Sequence, residues 1–216
     1  WKYVKGTLLY YGAKEDYSRF LAAYNAEGRE VKEQILNLNN TQTKKLLEAI
    51  NFSLQEENKR YRYDFLFNNC STKLRDMIDS CFKTTITYKA VIAKDSLRYM
   101  QDLNSYLQNK PWDRIGIDIL LSSEVHKKVN DYSYMYLPEA LYRGLNNTYI
   151  SGNKLVSETN VLLPDMQNKK NVFNTPRWLF GGIAGLLILL SFIKINNKLV
   201  NTIDIIFFTL LGLLGC

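Results

Sequence analysis

A cysteine stands where this sequence predicts the start of a helix. Residues 61–67 are rich in aromatic side chains, which is typical of a strand, and Asn68 and Asn69 are good helix N-cap residues. Apolar side chains then recur at helical spacing, at Leu74, Met77, Ile78 and Cys81. We therefore expect Cys70 in the first turn of a helix, on its inward face. There the unpaired backbone N–H groups and the helix dipole favour the thiolate, which is the nucleophilic form of cysteine.

This cysteine has two interpretations. A strand that leads into a helix beginning with cysteine is how papain-like enzymes mount their nucleophile. The alternative is a small buried thiol, because free cysteine is often buried. Cys81 lies near the end of the same predicted helix and is expected in the core, whereas Cys216 ends an apolar run without informative context. The spacing of the cysteines predicts neither a metal site nor a disulfide scaffold, and the sequence points to no cofactor.

Acidic residues and one histidine are the other candidates for chemistry. Asp64 and Asp76 could orient a base or a substrate amine, and each is equally plausible as a solvated or helix-capping charge. A cysteine nucleophile normally needs a histidine as its base. The only histidine, His126, lies in a charged segment, so we interpret it as a surface residue, with partnership to Cys70 as the alternative. Any base for Cys70 is then expected upstream.

The ends and the charge of the chain give further limits. It begins at Trp1 rather than at a methionine and stops inside a hydrophobic segment, so we expect a piece of a longer protein. The net charge of +7 is spread along the chain, and its lysine pairs lack interleaved aromatic residues on one face. Nucleic-acid binding is therefore not expected. Attraction to an anionic membrane surface accounts for the same charge.

The C-terminal part is apolar enough to predict membrane helices. Residues 178–193 contain no charge, and Trp178 stands where an interfacial anchor belongs. A second apolar run follows a short polar loop. The alternative, a buried soluble hairpin, is disfavoured because neither run has a polar face. The predicted organisation is a soluble domain at 1–165, a basic linker at 166–177 and transmembrane helices at 178–195 and 199–216.

The predicted elements of the soluble part alternate without internal repeats. This order predicts the mixed α+β class. Strands are predicted at 3–11, 29–38 and 61–67, and helices at 16–27, 41–58, 70–81, 95–107, 111–122 and 138–145.

Residues 60–76 resemble the cysteine motif of a domain family found in Bacteroidetes, long of unknown function. Softer landmarks of the same family follow its order, at 20–24 with 29–31, at 111–112 with 116–121, and at 136–138. The resemblance covers about residues 1–150. Members are similar to permuted papain-like thiol enzymes of the NlpC/P60 type, in which a Gly-His segment precedes the cysteine. The implied fold is a partial papain-like domain followed by C-terminal transmembrane helices.

Membrane-anchored members are implied to be lipoprotein N-acyltransferases. By this resemblance Cys70 would take an acyl chain from a phospholipid as a thioester and pass it to the N-terminal amine of a diacylglyceryl-cysteine lipoprotein. Backbone N–H groups at Cys70 and Ser71, with the Asn69 side chain, would stabilise the oxyanion. The resemblance also implies the bacterial inner membrane, with the soluble domain in the periplasm. Charge counting around the first apolar run mildly favours the cytoplasm instead.

The chain departs from the family pattern because it starts after the place of the Gly-His segment. The fragment alone is therefore expected to be inactive. Two other functions stay open. One is a membrane-anchored cysteine hydrolase, acting as a peptidase, an amidase or a lipase. The other is a non-enzymatic envelope domain that presents a partner-binding surface, with Cys70 as a buried thiol.

Overall fold

The computed structural model describes residues 7–92, 97–166, 176–192, 201–202, 205–209 and 212. The chain divides into two compact units. The first comprises Trp1–Asn109 and Asp113–Lys170, and the second comprises Lys110–Trp112 and Asn171–Cys216. The class is mixed α+β, as predicted from the order of elements.

The helix bounds are α1 (Tyr17–Ala26), α2 (Asn40–Ser53), α3 (Cys70–Phe82), α4 (Tyr99–Tyr106), α5 (Pro111–Leu121), α6 (Asp131–Tyr134), α7 (Pro138–Asn146) and α8 (Pro176–Phe192), with a 3-10 helix at Ser122–His126. Each of the six helices predicted in the soluble part is present, although the one predicted at 41–58 ends at Ser53, and α6 and the 3-10 helix were not predicted. Gly28, at φ 64°, follows α1 and ends it as expected. The cap of α2 is Asn39, whose side chain accepts from the Gln42 N–H at 2.9 Å.

The strands form three small antiparallel sheets. Their bounds are β1 (Leu9–Tyr11), β2 (Val31–Leu36), β3 (Arg60–Arg62), β4 (Ile86–Tyr88), β5 (Thr148–Ile150), β6 (Asn153–Lys154) and β7 (Val156–Leu163). β1 pairs with β3, β2 pairs with β7, and β4, β5 and β6 form the third sheet. The prediction of a strand through residue 67 was wrong, because β3 ends at Arg62 and a turn replaces the rest.

Two apolar clusters hold the first unit together. One joins α3 to α7 and to the strands that follow it, through Ile78, Cys81, Phe82, Met135, Leu141, Leu145, Ile150, Leu155 and Val156. The other lies beneath the turn that precedes α3, and its buried members are Leu66, Tyr99, Leu103, Val125, Val129 and Tyr136. The helix that carries Cys70 is therefore held at its end by the first cluster and at its start by the second.

At the start of the apolar C-terminal part, Pro176–Phe192 form α8, of 17 residues. Within the described ranges of the chain, no helix combines the length and the apolarity that a membrane crossing requires. Residues 193–195 of the first predicted span, most of the second span at 199–216, and most of the linker at 166–177 lie outside the described residues. Cys216 lies outside them as well.

Candidate functional site

Cys70 is the first residue of α3, and Asn69 is the N-cap. The Asn69 side chain accepts from the Thr72 N–H at 3.0 Å, and the Thr72 hydroxyl accepts from the Asn69 N–H at 2.7 Å. This reciprocal capping box fixes the direction in which the helix begins. Helix geometry leaves the N–H groups of Cys70 and Ser71 without an intrahelical acceptor. The helix start therefore offers two N–H donors close to a thiol.

The Cys70 thiol is free and exposed. The expectation that it lies on the inward face was wrong, since Leu74, one turn later, is also 53% exposed. The buried face of α3 instead carries Ser71, Thr72, Arg75, Ile78, Cys81 and Phe82. Arg75 lies on the buried face, where we expected an apolar side chain. The apolar pattern therefore predicted the wrong buried face for the first turn of α3. Cys81 is buried in the first cluster, as predicted.

Asp64 builds the turn that leads to the cysteine. One of its carboxylate oxygens accepts from the Leu66 N–H at 2.9 Å and from the Phe67 N–H at 2.8 Å. The main chains of Asp64 and Asn68 also exchange two hydrogen bonds, at 3.0 and 3.1 Å. Leu66, only 2% exposed, anchors this turn in the second cluster. The carboxylate that we considered as an orienting group is thus engaged in shaping the backbone ahead of Cys70.

The Asn69 amide joins the cysteine helix to a distant segment. Its nitrogen donates to the Phe65 carbonyl at 2.7 Å and to the Tyr136 carbonyl at 2.9 Å, while its oxygen caps the helix. A primary amide has two N–H hydrogens, and both are used. The side chain is also buried. Asn69 therefore has no amide hydrogen left to donate to an oxyanion at Cys70, and the two backbone N–H groups are the donors available there.

Asp76 belongs to a polar cluster on α3. Its carboxylate accepts from the Arg75 guanidinium at 2.7 Å and from the Tyr132 hydroxyl at 2.6 Å. The Arg75 guanidinium lies 4.1 Å from the centre of the Tyr132 ring and donates to the Tyr132 carbonyl at 3.2 Å. Burial, together with the Asp76 hydrogen bond, raises the pKa of Tyr132 to about 12. Asp76 thus fastens α3 to α6, and its carboxylate is directed to that contact.

One tyrosine of the β1–β3 ribbon, Tyr61, interacts electrostatically with the Cys70 thiol. Burial, and secondly the charge of Cys70, raise the pKa of the Tyr61 phenol, which places Tyr61 within electrostatic reach of the cysteine. The Tyr10 ring is 6.4 Å from Tyr61 and 4.4 Å from Tyr63. The ammonium group of Lys73 lies 4.9 Å from the centre of the Tyr61 ring. The exposed Cys70 thiol therefore interacts electrostatically with Tyr61, whose ring also contacts Tyr10 and Lys73.

His126 is exposed at the end of the 3-10 helix. Its backbone carbonyl accepts from the Arg98 guanidinium at 2.5 Å. Among the described residues, no hydrogen bond or ion pair joins His126 to Cys70. This placement agrees with its interpretation as a surface residue. The part of the chain that the structure describes also holds no group of three or more side chains suited to bind a metal ion.

Sequence reasoning missed one buried acidic residue near the site. The Tyr136 hydroxyl donates to the Asp102 carboxylate at 2.9 Å, and both residues are buried. Burial raises the pKa of the Asp102 carboxyl, although the Tyr136 hydrogen bond opposes that shift. Tyr136 therefore meets α4 through its hydroxyl and Asn69 through its carbonyl. No periodic signal marks this pair, because Asp102 alone resembles an ordinary charge in the first turn of a helix.

Residues 1–105 match the family model described as the Lnb N-terminal periplasmic domain. The matched part includes the β1–β3 ribbon, α3 and Cys70. This part of the chain is therefore similar to a family of periplasmic domains. No curated protein and no solved structure matches the chain significantly.

Proposed function

We propose that this chain carries the nucleophile of a lipoprotein N-acyltransferase, with Cys70 as the acyl carrier. The observation that supports the proposal most directly is the free, exposed thiol at the first position of α3, within the part that matches the Lnb family. A helix N-terminus favours a thiolate and supplies N–H groups for developing negative charge. Cys81 lies near the other end of α3 and is buried in the first cluster, so it is neither exposed nor at the helix N-terminus.

In the first step the Cys70 thiolate attacks the ester carbonyl carbon of a phospholipid. The S–C bond forms, the ester C–O bond breaks, and the departing oxygen takes a proton to give a lysophospholipid. The N–H groups of Cys70 and Ser71 would hydrogen bond to the oxyanion. We assign the proton transfers to the histidine that the family resemblance places before the cysteine motif.

In the second step the α-amine of a diacylglyceryl-cysteine lipoprotein attacks the thioester carbonyl. The N–C bond forms, the S–C bond breaks and returns the thiolate, and the amine proton passes to the same base. No oxidant, reductant or cofactor enters this balance. The products are a triacylated lipoprotein and the free enzyme.

The proposed location is the bacterial inner membrane, with the first unit in the periplasm. Its support is the uncharged run at 178–193, which includes most of α8, and the similarity of residues 1–105 to periplasmic domains. We propose that the runs at 178–195 and 199–216 are the membrane anchor. The acyl donor and the lipoprotein acceptor both reside in the bilayer, so anchoring raises their effective concentration at Cys70.

The test uses the complete open reading frame in a bacterium depleted of its own lipoprotein N-acyltransferase. The mass of the N-terminal lipopeptide of a reporter lipoprotein is measured with the unaltered protein, with Cys70→Ser, and with Cys81→Ala as the matched control. We expect one added acyl chain with the unaltered protein and with Cys81→Ala, and none with Cys70→Ser. An unchanged gain in Cys70→Ser would remove this cysteine from the mechanism.

The two other functions predict different outcomes. A hydrolase would release free fatty acid or cleaved peptide in a Cys70-dependent manner and leave the reporter mass unchanged. A non-enzymatic envelope domain would give neither product despite full expression. Each of these results would overturn the transferase proposal.

A further inference from the structure

An apolar groove lies behind the turn that carries Asp64. Its volume is about 340 Å³. Its walls come from the turn, from α4, from α5 and from the segment before α7, through Phe65, Leu103, Tyr106, Leu107, Ile117 and Leu137. Small-molecule sites of this size are usually lined in this way, by apolar side chains with few polar groups.

The groove offers no unpaired charge to a ligand. The carboxylate among its lining residues, Glu139, pairs with Lys32 at 3.3 Å and with Arg143 at 3.1 Å. The Tyr106 phenol keeps its proton, since burial raises its pKa. A phosphate or a charged peptide would therefore lose its hydration without gaining a partner. An uncharged hydrocarbon chain has no such hydration to lose, and its entry into the groove removes apolar surface from water, which is favourable.

Asn69 connects this groove to the nucleophile. The two carbonyls that accept from its amide belong to Phe65, which lines one wall, and to Tyr136, which directly precedes Leu137 of the other wall. Cys70 is the next residue after Asn69. Two walls of the groove are therefore tied by hydrogen bonds to the residue that precedes Cys70.

We propose that this groove holds the acyl chain that Cys70 transfers. The inference rests on the proposed function and adds to it the site that selects the chain. The acyl carbonyl lies at the N-terminus of α3, and the hydrocarbon extends past Phe65 between α4 and α5. The groove thereby sets which chain lengths are accepted, because a filled or shortened groove leaves the end of a long chain in water.

The first test is independent of catalysis. The full-length Cys70→Ser protein is placed in membranes that contain a phospholipid with a diazirine near the end of one acyl chain, and the labelled peptides are mapped after irradiation. Ile117→Trp fills the groove. Ile119→Trp adds the same indole to the same helix, at a side chain that is 52% exposed and is not part of the lining.

We expect label on the groove walls, a loss of at least about tenfold with Ile117→Trp, and no change with Ile119→Trp. Leu107→Trp fills the groove from the C-cap of α4 and should act like Ile117→Trp, which guards against misfolding of one variant. Equal labelling of the groove in both filled variants would overturn the proposal. Label confined to the apolar C-terminal run would overturn it as well.

The second test uses the unaltered cysteine and the reporter lipopeptide. With Ile117→Trp, the ratio of short to long transferred chains should rise by roughly tenfold, whereas Ile119→Trp keeps the original ratio. A lower yield with an unchanged ratio would overturn the assignment of the groove. Failure of the transferase proposal looks different, because the unaltered protein would then add no chain at all.

Discussion

The side-chain amide of Asn69 donates to the main-chain carbonyl of Tyr136 at 2.9 Å, across 67 positions of sequence. This contact joins the residue before Cys70 to the segment that enters α7. The same amide nitrogen also holds the Phe65 carbonyl. The position of Cys70 therefore depends on one buried side chain, which caps α3 and also makes a tertiary hydrogen bond to Tyr136.

Replacing Asn69 should destabilise the fold and misplace the cysteine. Asn69→Ala removes the cap and leaves two carbonyls without their donor, so we expect a loss of about 2–3 kcal/mol in the free energy of unfolding. Asn69→Asp keeps an oxygen that can cap the helix but cannot donate to either carbonyl. Urea unfolding of both variants measures the two contributions. An alanine variant as stable as the unaltered protein would contradict this role.

The sequence was sufficient to predict α3 but not the hydrogen bond from Asn69 to Tyr136. The N-cap asparagine and the apolar residues of α3 are local signals, and they predicted the helix start and the core position of Cys81 correctly. The inward placement of Cys70 failed because the first turn buries Arg75, whose charge is satisfied by Asp76 and Tyr132. Hydropathy cannot recognise a buried cation when one of its partners, Tyr132, lies 57 positions away.

The missed strands have a similar cause. β7 pairs with β2 across more than 100 residues, and β4 pairs with β5 across four described α-helices and a 3-10 helix. Such pairing depends on tertiary contacts rather than on local propensity. The aromatic run after Arg62 was assigned to a strand because its composition favours one. The Asp64 side chain ends that strand by accepting from two backbone N–H groups, which composition does not reveal.

The two described cysteines should differ in reactivity toward iodoacetamide. Cys70 is exposed, whereas Cys81 is packed in the first cluster. We expect rapid carbamidomethylation of Cys70 in the folded protein and modification of Cys81 only in denaturant. Peptide mapping by mass spectrometry reads both sites in one sample. Equal modification of the two thiols under native conditions would contradict the placement of α3.

Asp102 should make stability depend on pH. Burial raises its pKa in the folded state above the ordinary value near 3.8, so the folded state binds this proton more tightly than the unfolded state does. The contribution to stability is then full below the unfolded pKa and is lost as the pH rises through the folded pKa. The slope cannot exceed about 1.4 kcal/mol per pH unit for one proton.

Asp102→Asn isolates this effect because an amide does not titrate in that range. Any change that the amide itself makes to the free energy of unfolding is the same at each pH. We therefore expect the variant to gain stability relative to the unaltered protein as the pH rises from 3 toward neutrality, as measured by urea unfolding across that range. A difference that stays constant with pH would show that the Asp102 carboxyl is not perturbed by burial.

Gly144 should be required for the packing of α7. A Cβ atom at this position would lie 2.2 Å from the sulfur of Met135, which is almost fully buried. Gly144→Ala therefore forces Met135 out of place, at an expected cost of about 1–3 kcal/mol in the free energy of unfolding. Gly116→Ala on α5 is the matched control, because nothing lies within 4 Å of its added Cβ. The control should gain up to about 1 kcal/mol from helix propensity alone, so that the two substitutions change stability in opposite directions. If both variants gained stability in thermal or urea unfolding, α7 would not pack on Met135 as closely as this structure indicates.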